Sequence, residues 1–381
     1  MHDSPVSVVL AGGGSAGHVN PLLATADALR AAAPDCRITV LGTAEGLEAR
    51  LVPERGYDLE ILPKVPFPRR PNGAVLRFPS EIRRAIARAR EVMREVEADV
   101  VVGFGGYVAT PAYLAARRTG TPIVIHEQNA RPGLANRLGA RFTQDVATTF
   151  GATRLANSTV IGLPMRREIA DLDRAALRGA GLAHFGLQEG TTTLLVFGGS
   201  LGAQRLNDAF PAAAPDLRAA GVQVLHLTGA GKPVEVESDS QCPYVVVDYT
   251  DRMDLAYAVA DLAVCRAGAG TVSELTAVGL PAIYVPLPIG NGEQRLNAAD
   301  VVAAGGGLLV ADADVTADWV RDTVLPLLAD EERLGQMADE AAVMGDRTAA
   351  EELAKMVLAA AGRRDSSRSD SDRSDTGSSP A

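Results

Sequence analysis

Short apolar runs ending in glycine alternate along the chain with longer segments rich in Ala, Leu and Arg. In the first half, "PVSVVLAGG" leads into Pro21–Ala33, "CRITVLGT" into Ala44–Glu54 and "ADVVVGFGG" into Thr110–Arg118, while "PIVIHEQN" precedes "PGLANRLGARF". Such β-branched runs read as buried parallel strands, and the segments between them as covering helices. The rhythm breaks near "STVIGLPMRRE", at Gly162 and Pro164, and restarts with "TTLLVFGGSLGAQRLNDAF". "VQVLHLTG", "YVVVDYT", "DLAVCRAG", "LPAIYVP" and "GGGLLVA" follow, which makes six strands in the second half, with helices clearest at Met253–Val259 and Thr271–Val278. The pattern predicts an α/β protein of two parallel-sheet domains, neither inserted in the other. Ala317–Ala361 is helical in composition, with a break expected at Pro326. The closing "GRRDSSRSDSDRSDTGSSPA" carries no apolar residue before its last alanine. It cannot recover its ordering entropy by burial, so disorder is expected there.

Composition narrows the function. The 381 residues suit two domains, and 47% hydrophobic with only 4% aromatic means cores of small aliphatic side chains. A net charge of -10 argues against a general nucleic-acid coat. Against that background, Lys64–Arg90 holds eight basic residues and one acidic one, Glu81. Val75, Leu76 and Phe78 lie here with Arg77, Arg83 and Arg84. They form either an interfacial patch or a solvated helix whose apolar side faces its own core. Cys36, Cys242 and Cys265 have no metal-ligand spacing and suit a reducing compartment. No basic, apolar leader precedes Gly12 and no clean apolar run reaches spanning length, so neither a signal peptide nor a transmembrane helix is expected.

The glycine clusters carry the chemistry. Gly12, Gly14 and Gly17 match the spacing of a dinucleotide fingerprint, but no acid closes the second strand at "VLGTAEG". No Lys-Ser/Thr follows, which excludes a P-loop. A second cluster contains Gly103, Gly105, Gly106 and Tyr107, and a third runs from Gly198 through Ser200 to Gly202. Glycine turns at strand ends expose N–H groups at helix starts, where anions bind. Two similar halves with such turns suit two phosphate-bearing substrates. His18 stands at a strand's carboxyl edge, as a base, a phosphate donor or a packing residue. "HEQN", His126–Asn129, places four polar residues directly after a strand, whereas His184 and His226 read as structural. In "CRAGAGTVSEL", Gly268 and Gly270 precede a helix expected near Thr271, with Glu274 in its first turn. A carboxylate there can accept both hydroxyls of a ribose. Glu293, Gln294 and Asn297 add sugar-reading groups, so a nucleotide sugar is favoured over a redox cofactor.

Together, "GGGSAGHVNP", "GFGGYVATP", "HEQNARPGLANR", "FGGSLGAQRLN", "CRAGAGTVSEL" and "GNGEQRLNA" resemble the ordered motifs of one family. It is the bacterial UDP-N-acetylglucosamine–N-acetylmuramyl-(pentapeptide) pyrophosphoryl-undecaprenol N-acetylglucosamine transferases, and the likeness runs from Val6 to Ala360. The resemblance implies a GT-B architecture, two Rossmann-like parallel-sheet domains facing across a cleft. Its expected divisions are an acceptor and lipid domain at 1–164 and a UDP-GlcNAc domain at 165–345. A helix at 346–362 returns to the first domain, and a disordered tail follows at 363–381. It further implies inverting, metal-independent transfer of GlcNAc from UDP-GlcNAc to the C4 hydroxyl of MurNAc in lipid I. UDP-GlcNAc is then a substrate, and no cofactor is needed.

Carried over by motif, His18 is the first choice for the base and Glu127 the alternative. The donor set is Ser15, Ala16, Gly17, Asn129, Arg166, Ser200, Thr250, Gly268, Ala269, Gly270, Thr271, Val272, Ser273, Glu274, Glu293 and Gln294. Gly13, Gly14, Gly105, Gly106 and Tyr107 are expected at the acceptor's diphosphate. The patch around Val75–Phe78 matches the region of the family thought to dock on the membrane. Expected partners are lipid I, an anionic inner-leaflet surface, and the cell-wall and division machinery, with no nucleic acid. The expected place is the cytoplasmic face of the cell membrane. Two departures stand out. Ala16 replaces a glycine of many members, and Glu293 precedes Gln294 where some members have two glutamines. Three rivals remain: another nucleotide-sugar transferase, a catalytically silent binding protein, and a dehydrogenase.

Overall fold

The apolar runs form two all-parallel sheets. The computed structural model describes residues 5–65, 73–199, 202–237 and 241–375, with side chains described except at 73–76 and 364–375. The first sheet contains β1 (Ser7–Ala11), β2 (Arg37–Gly42), β3 (Asp58–Ile61), β4 (Val100–Gly103), β5 (Ile123–Glu127), β6 (Asp145–Thr148) and β7 (Ser158–Val160). Its order is β3-β2-β1-β4-β5-β6-β7. The second contains β8 (Thr192–Phe197), β9 (Val222–Leu227), β10 (Tyr244–Val247), β11 (Leu262–Cys265), β12 (Ala282–Tyr284) and β13 (Gly307–Leu309), in the order β10-β9-β8-β11-β12-β13. The two orders are the same Rossmann pattern used twice.

That pattern fixes where ligands go. In each sheet the strand order reverses beside the first strand, and the crevice past the carboxyl ends there is the expected binding place. β1 pairs with β4 so that Ala11 lies opposite Gly103, and β8 pairs with β11 so that Phe197 lies opposite Cys265. The strands end level, so two glycine-bearing loops leave side by side in each unit.

Contacts divide the chain into one unit of Met1–Arg166 with Thr348–Ala381 and a second of Arg167–Arg347. The second unit is thus set into the first, contrary to the sequence expectation that neither is an insertion. Within the first unit, alternate residues of β1 face opposite layers, as strand geometry requires. Val8 and Leu10 pack with Leu22, Leu29, Leu353 and Val357, while Val9 and Ala11 pack with Ile86, Val92, Val108 and Tyr113. In the second unit, Leu194, Val196, Leu206, Phe210, Val264 and Ile283 share one core.

All six strands expected in the second half are present, but the first half has three more than expected, β3, β6 and β7. These are only three or four residues long, and β3 and β7 are partly exposed, so neither carries a long apolar run. Helices start earlier than expected, at Ala16 and Gly106, because the glycine turns themselves lead into the first helical turn. Pro326 does not break its segment. It sits in the first turn of Leu325–Leu328, after one wide π-type turn at Val320–Val324 where Leu325 N–H reaches the Val320 carbonyl. A residue without an N–H is tolerated at that position. The helix Ala349–Asp375 runs into the stretch from residue 363 whose composition led to the expectation of disorder. Once a helix is nucleated, each further residue adds one bond, and no proline intervenes. Residues 376–381 lie outside the described ones.

Candidate active site

In the first unit the two glycine loops touch. A side chain at Gly106 would lie 2.8 Å from the Gly13 carbonyl, and one at Gly12 would lie 3.0 Å from Phe104 Cβ. Gly105 has φ 92° and a Cβ there would meet the His18 ring at 3.2 Å, so only glycine lets the loop pass over the imidazole. His18 Nδ1 lies 2.9 Å from Ser15 Oγ, and the Ser15 carbonyl accepts the His18 and Val19 amides. The His18 residue is half-buried. Burial pushes its pKa down to about 4, with the Glu48 carboxylate acting in the opposite direction. At neutral pH the ring is uncharged and one nitrogen can accept a proton.

Glu48 was not foreseen from the sequence. It is fully buried at the start of the helix Glu48–Glu54. Its Oε1 accepts the Thr43 amide at 2.9 Å and the Thr43 hydroxyl at 2.8 Å, and its Oε2 accepts the Gly14 amide at 2.8 Å. Gly13 is buried between this carboxylate and Gly106, so Gly13 and Gly14 lie against an acid of the chain itself. The second strand is therefore followed by an acid after all, at a distance in sequence that hid it. Its oxygens are committed to backbone and hydroxyl donors.

The "HEQN" segment is largely internal. His126, Glu127 and Gln128 are buried, and His126 Nε2 contacts the Gly162 carbonyl at 2.9 Å. Glu127 Oε1 accepts the Asn129 amide at 2.9 Å, while Oε2 accepts the Gly133 amide at 2.9 Å and Asn136 Nδ2 at 3.0 Å. Burial raises its pKa and these donors oppose the rise. Asn136 in turn accepts the Tyr113 hydroxyl at 2.7 Å. Glu127 thus ties its own loop together. Tyr107 is exposed at the start of Gly106–Thr119, a helix with no side-chain cap and no acid in its first turn.

In the second unit the helix Ala269–Ala277 begins directly after β11, capped by the Gly268 backbone with no capping side chain and no first-turn acid. This start falls two residues earlier than expected, so Glu274 stands in the second turn rather than the first, one turn beyond Gly270. Its Oε2 accepts the Tyr257 hydroxyl at 2.7 Å. Tyr257 belongs to the helix Met253–Val259, which brings the preceding segment to the same place. There Thr250 Oγ1 accepts the Arg252 amide at 3.0 Å. Asn297 Nδ2 donates to the Ala267 carbonyl at 3.2 Å and anchors the helix Glu293–Asn297 beside Gly268. On that helix Gln294 Oε1 accepts the Leu287 amide at 2.9 Å, and Glu293 Oε2 is buried without a hydrogen bond. Arg266, also missed by sequence reading, is buried and pairs with Asp312 at 2.6 Å while donating to the Val285 carbonyl at 3.1 Å.

Gly202 has φ 66° and lies against the Thr228 carbonyl, while Ser200 lies outside the described residues. Ser15, Ala16, Gly17, Asn129 and Arg166 belong to the first unit, and the other expected donor residues to the second. Among the described residues, no three His, Cys, Asp or Glu side chains are grouped to hold a metal ion.

Comparison with known proteins agrees with this arrangement. Residues 8–148 match the Glycosyltransferase family 28 N-terminal domain and residues 193–353 the Glycosyltransferase family 28 C-terminal domain. The UDP-N-acetylglucosamine–N-acetylmuramyl-(pentapeptide) pyrophosphoryl-undecaprenol N-acetylglucosamine transferase of Mycolicibacterium smegmatis is 58% identical over 363 residues, 93% of this chain and 94% of that protein. The enzyme of the same name from Nocardioides sp. is 57% identical over 354 residues, 92% and 97% of the two chains. The chain belongs to this transferase family. The crystal structure of Acinetobacter baumannii MurG superposes with a TM-score of 0.76 at 29% identity, covering 93% of this chain and 99% of that one. The two Rossmann-like sheets are those of the family's GT-B fold.

The patch expected from the sequence to dock on a membrane falls on the helix Gly73–Glu95. Arg77, Arg83 and Arg84 are exposed and Phe78 is half-buried, while the side chains of Val75 and Leu76 lie outside the described ones. Ala85, Ile86, Ala89, Val92 and Met93 face the core. No described helix is long and apolar enough to cross a membrane.

Proposed function

We propose that this chain performs its family's reaction, moving GlcNAc from UDP-GlcNAc to the C4 hydroxyl of MurNAc in undecaprenyl-pyrophosphoryl-MurNAc-pentapeptide. The hydroxyl oxygen attacks C1 of the donor sugar, the C1–O bond to UDP breaks, and UDP leaves with the electron pair. The product carries a β-1,4 bond with inverted configuration. The observation that supports the donor assignment is Glu274, held by Tyr257 one turn beyond an uncapped helix start. Free amides at Gly268–Thr271 suit the diphosphate, and the fixed carboxylate suits the ribose hydroxyls. Those amides, with Arg166 and Ser200, stabilise the leaving charge in the manner of an oxyanion hole, without a metal ion. Thr250 belongs at the uracil, and Glu293, Gln294 and Asn129 at the transferred sugar.

His18 is the base in this reading. Its ring is neutral at working pH and has a nitrogen free to take the hydroxyl proton, whereas the Glu127 oxygens each hold internal donors. The helix start at Gly105, Gly106 and Tyr107 receives the lipid-linked diphosphate. The exposed arginines of the helix Gly73–Glu95 hold the protein to the anionic cytoplasmic face of the membrane. The test is transfer of labelled GlcNAc to a lipid I analogue with EDTA present. Formation of a β-1,4 product is expected. A strict magnesium requirement would refute the metal-free part, and preferential NAD binding would refute the whole reading.

A further inference from the structure

The first glycine loop has the form of an anion cradle, and an anion is already in it. A Cβ at Gly13 would lie 2.3 Å from a Glu48 oxygen, one at Gly46 would lie 2.0 Å from the same carboxylate, and one at Gly42 would lie 2.5 Å from Glu48 Cγ. Three glycines from two loops therefore make room for a single side chain. Nothing larger than hydrogen fits at any of them while Glu48 keeps its place. The carboxylate is 0% exposed, a position that an ionised acid occupies only with strong donors. It has them in the Thr43 amide, the Thr43 hydroxyl and the Gly14 amide.

We propose that Glu48 is a positioning residue for transfer: its buried carboxylate takes the place of an external phosphate in the first glycine loop and so fixes the segment that presents His18. The connection is short. Glu48 holds the Gly14 amide, Gly14 precedes Ser15, and Ser15 contacts His18 through both its hydroxyl and its carbonyl. The other groups against the imidazole are neutral: Ser15 on its own loop and Gly105 on the loop after β4, with the Asn136 amide beside Gly105. Glu48 is the charge felt at His18, and it favours the imidazolium formed when the ring takes a proton. The loop then serves the base, and the acceptor's diphosphate is left to the helix start at Gly106.

This proposal rests on the reading of His18 as proton acceptor, and the experiment separates the two. Full-length Glu48→Gln, Thr43→Val, His18→Asn and the His18→Asn/Glu48→Gln double variant are assayed for kcat, donor KM and pH profile. Circular-dichroism melts and limited proteolysis of the first unit report whether each variant is folded, and calorimetric UDP-GlcNAc binding reports the donor side. Glu48→Gln places an amide NH2 or a single oxygen where two acceptors are needed. It is expected to lower kcat about 10- to 100-fold with donor KM within about twofold. The acid limb of kcat is expected at lower pH. Thr43→Val keeps the shape and removes one donor, and a severalfold loss of kcat is expected even if Glu48→Gln does not fold. In the His18→Asn background Glu48→Gln is expected to add little. A slow His18→Asn beside a Glu48→Gln and a Thr43→Val with wild-type kcat and pH profile would overturn the proposal alone. Full activity of His18→Asn would overturn the reading of His18 and the proposal with it.

Discussion

Tyr257 donates its hydroxyl to Glu274 across 2.7 Å, joining the helix that follows β10 to the helix that follows β11. A carboxylate fixed in this way is ready for two ribose hydroxyls without first losing rotamer freedom. Tyr257→Phe leaves the ring in its buried place and removes the hydroxyl, whose bond to Glu274 is worth about 1 kcal/mol. Donor KM is expected to rise about fivefold with kcat nearly unchanged, whereas Glu274→Ala is expected to weaken UDP-GlcNAc binding by about 10- to 100-fold. Calorimetric titration of both variants checks the order. Equal binding by wild type and Glu274→Ala would remove the ribose role.

Gly103 closes β4 directly under Tyr113. A Cβ at Gly103 would lie 2.0 Å from the Tyr113 hydroxyl, which cannot swing away without losing its bond to Asn136. Gly103→Ala is therefore expected to destabilise the first unit by about 1–3 kcal/mol. Tyr113 Cε1 and Cζ would lie 2.2 and 2.3 Å from that Cβ, so adding Tyr113→Phe, which removes only the oxygen, should recover little of the loss, and Tyr113→Leu should recover more. Thermal melts of the single and double variants decide it.

His126 and His226 are buried neutral, with burial holding both pKa values down to about 4 from 6.5. Between those two pH values the unfolded chain binds protons that the native chain refuses. Stability then falls as pH drops through that window, by up to about 1.4 kcal/mol per pH unit for each ring. Above pH 6.5 both states are neutral at these positions and the contribution is flat. Urea denaturation at pH 7, 6 and 5 measures the slope. His226→Gln should reduce it, and an unchanged slope would mean that His226 is not a source.

The exposed Arg83 and Arg84 test the membrane reading. Each arginine near an anionic surface contributes about 1 kcal/mol, so replacing both with serine should weaken vesicle binding roughly thirtyfold at low salt. Soluble transfer to a short-chain acceptor should be unaffected. Vesicle flotation of wild type and variant, with and without phosphatidylglycerol, reads the difference. No change would return these side chains to an ordinary solvated helix face.

The second unit's strands were legible because they are predominantly apolar, with β9 interrupted only by the buried Gln223 and His226. β3 and β7 were hidden because short, partly exposed strands have neither a run nor a clean alternation. Glu274 was legible from its place after a glycine turn, but its turn of helix was misread because Ala269 and Gly270 already adopt helical backbone. Glu48 was illegible for a different reason. Five residues separate it from the end of β2, and only the folded path of that loop returns its carboxylate to Thr43 and Gly14. The spacing of Gly12, Gly14 and Gly17 pointed to a phosphate, although the anion that the loop encloses is one of the protein's own.

The first unit is completed only by the chain's far end. Leu353, Ala354, Val357 and Ala360 lie in one core with Val8 and Leu10, so the opening strand and the closing helix are parts of one structure. A ribosome releasing a chain that stops before Thr348 would therefore deliver an intact second unit and an unfinished first one. Damage from a late stop codon would appear in the half of the protein that was synthesised first.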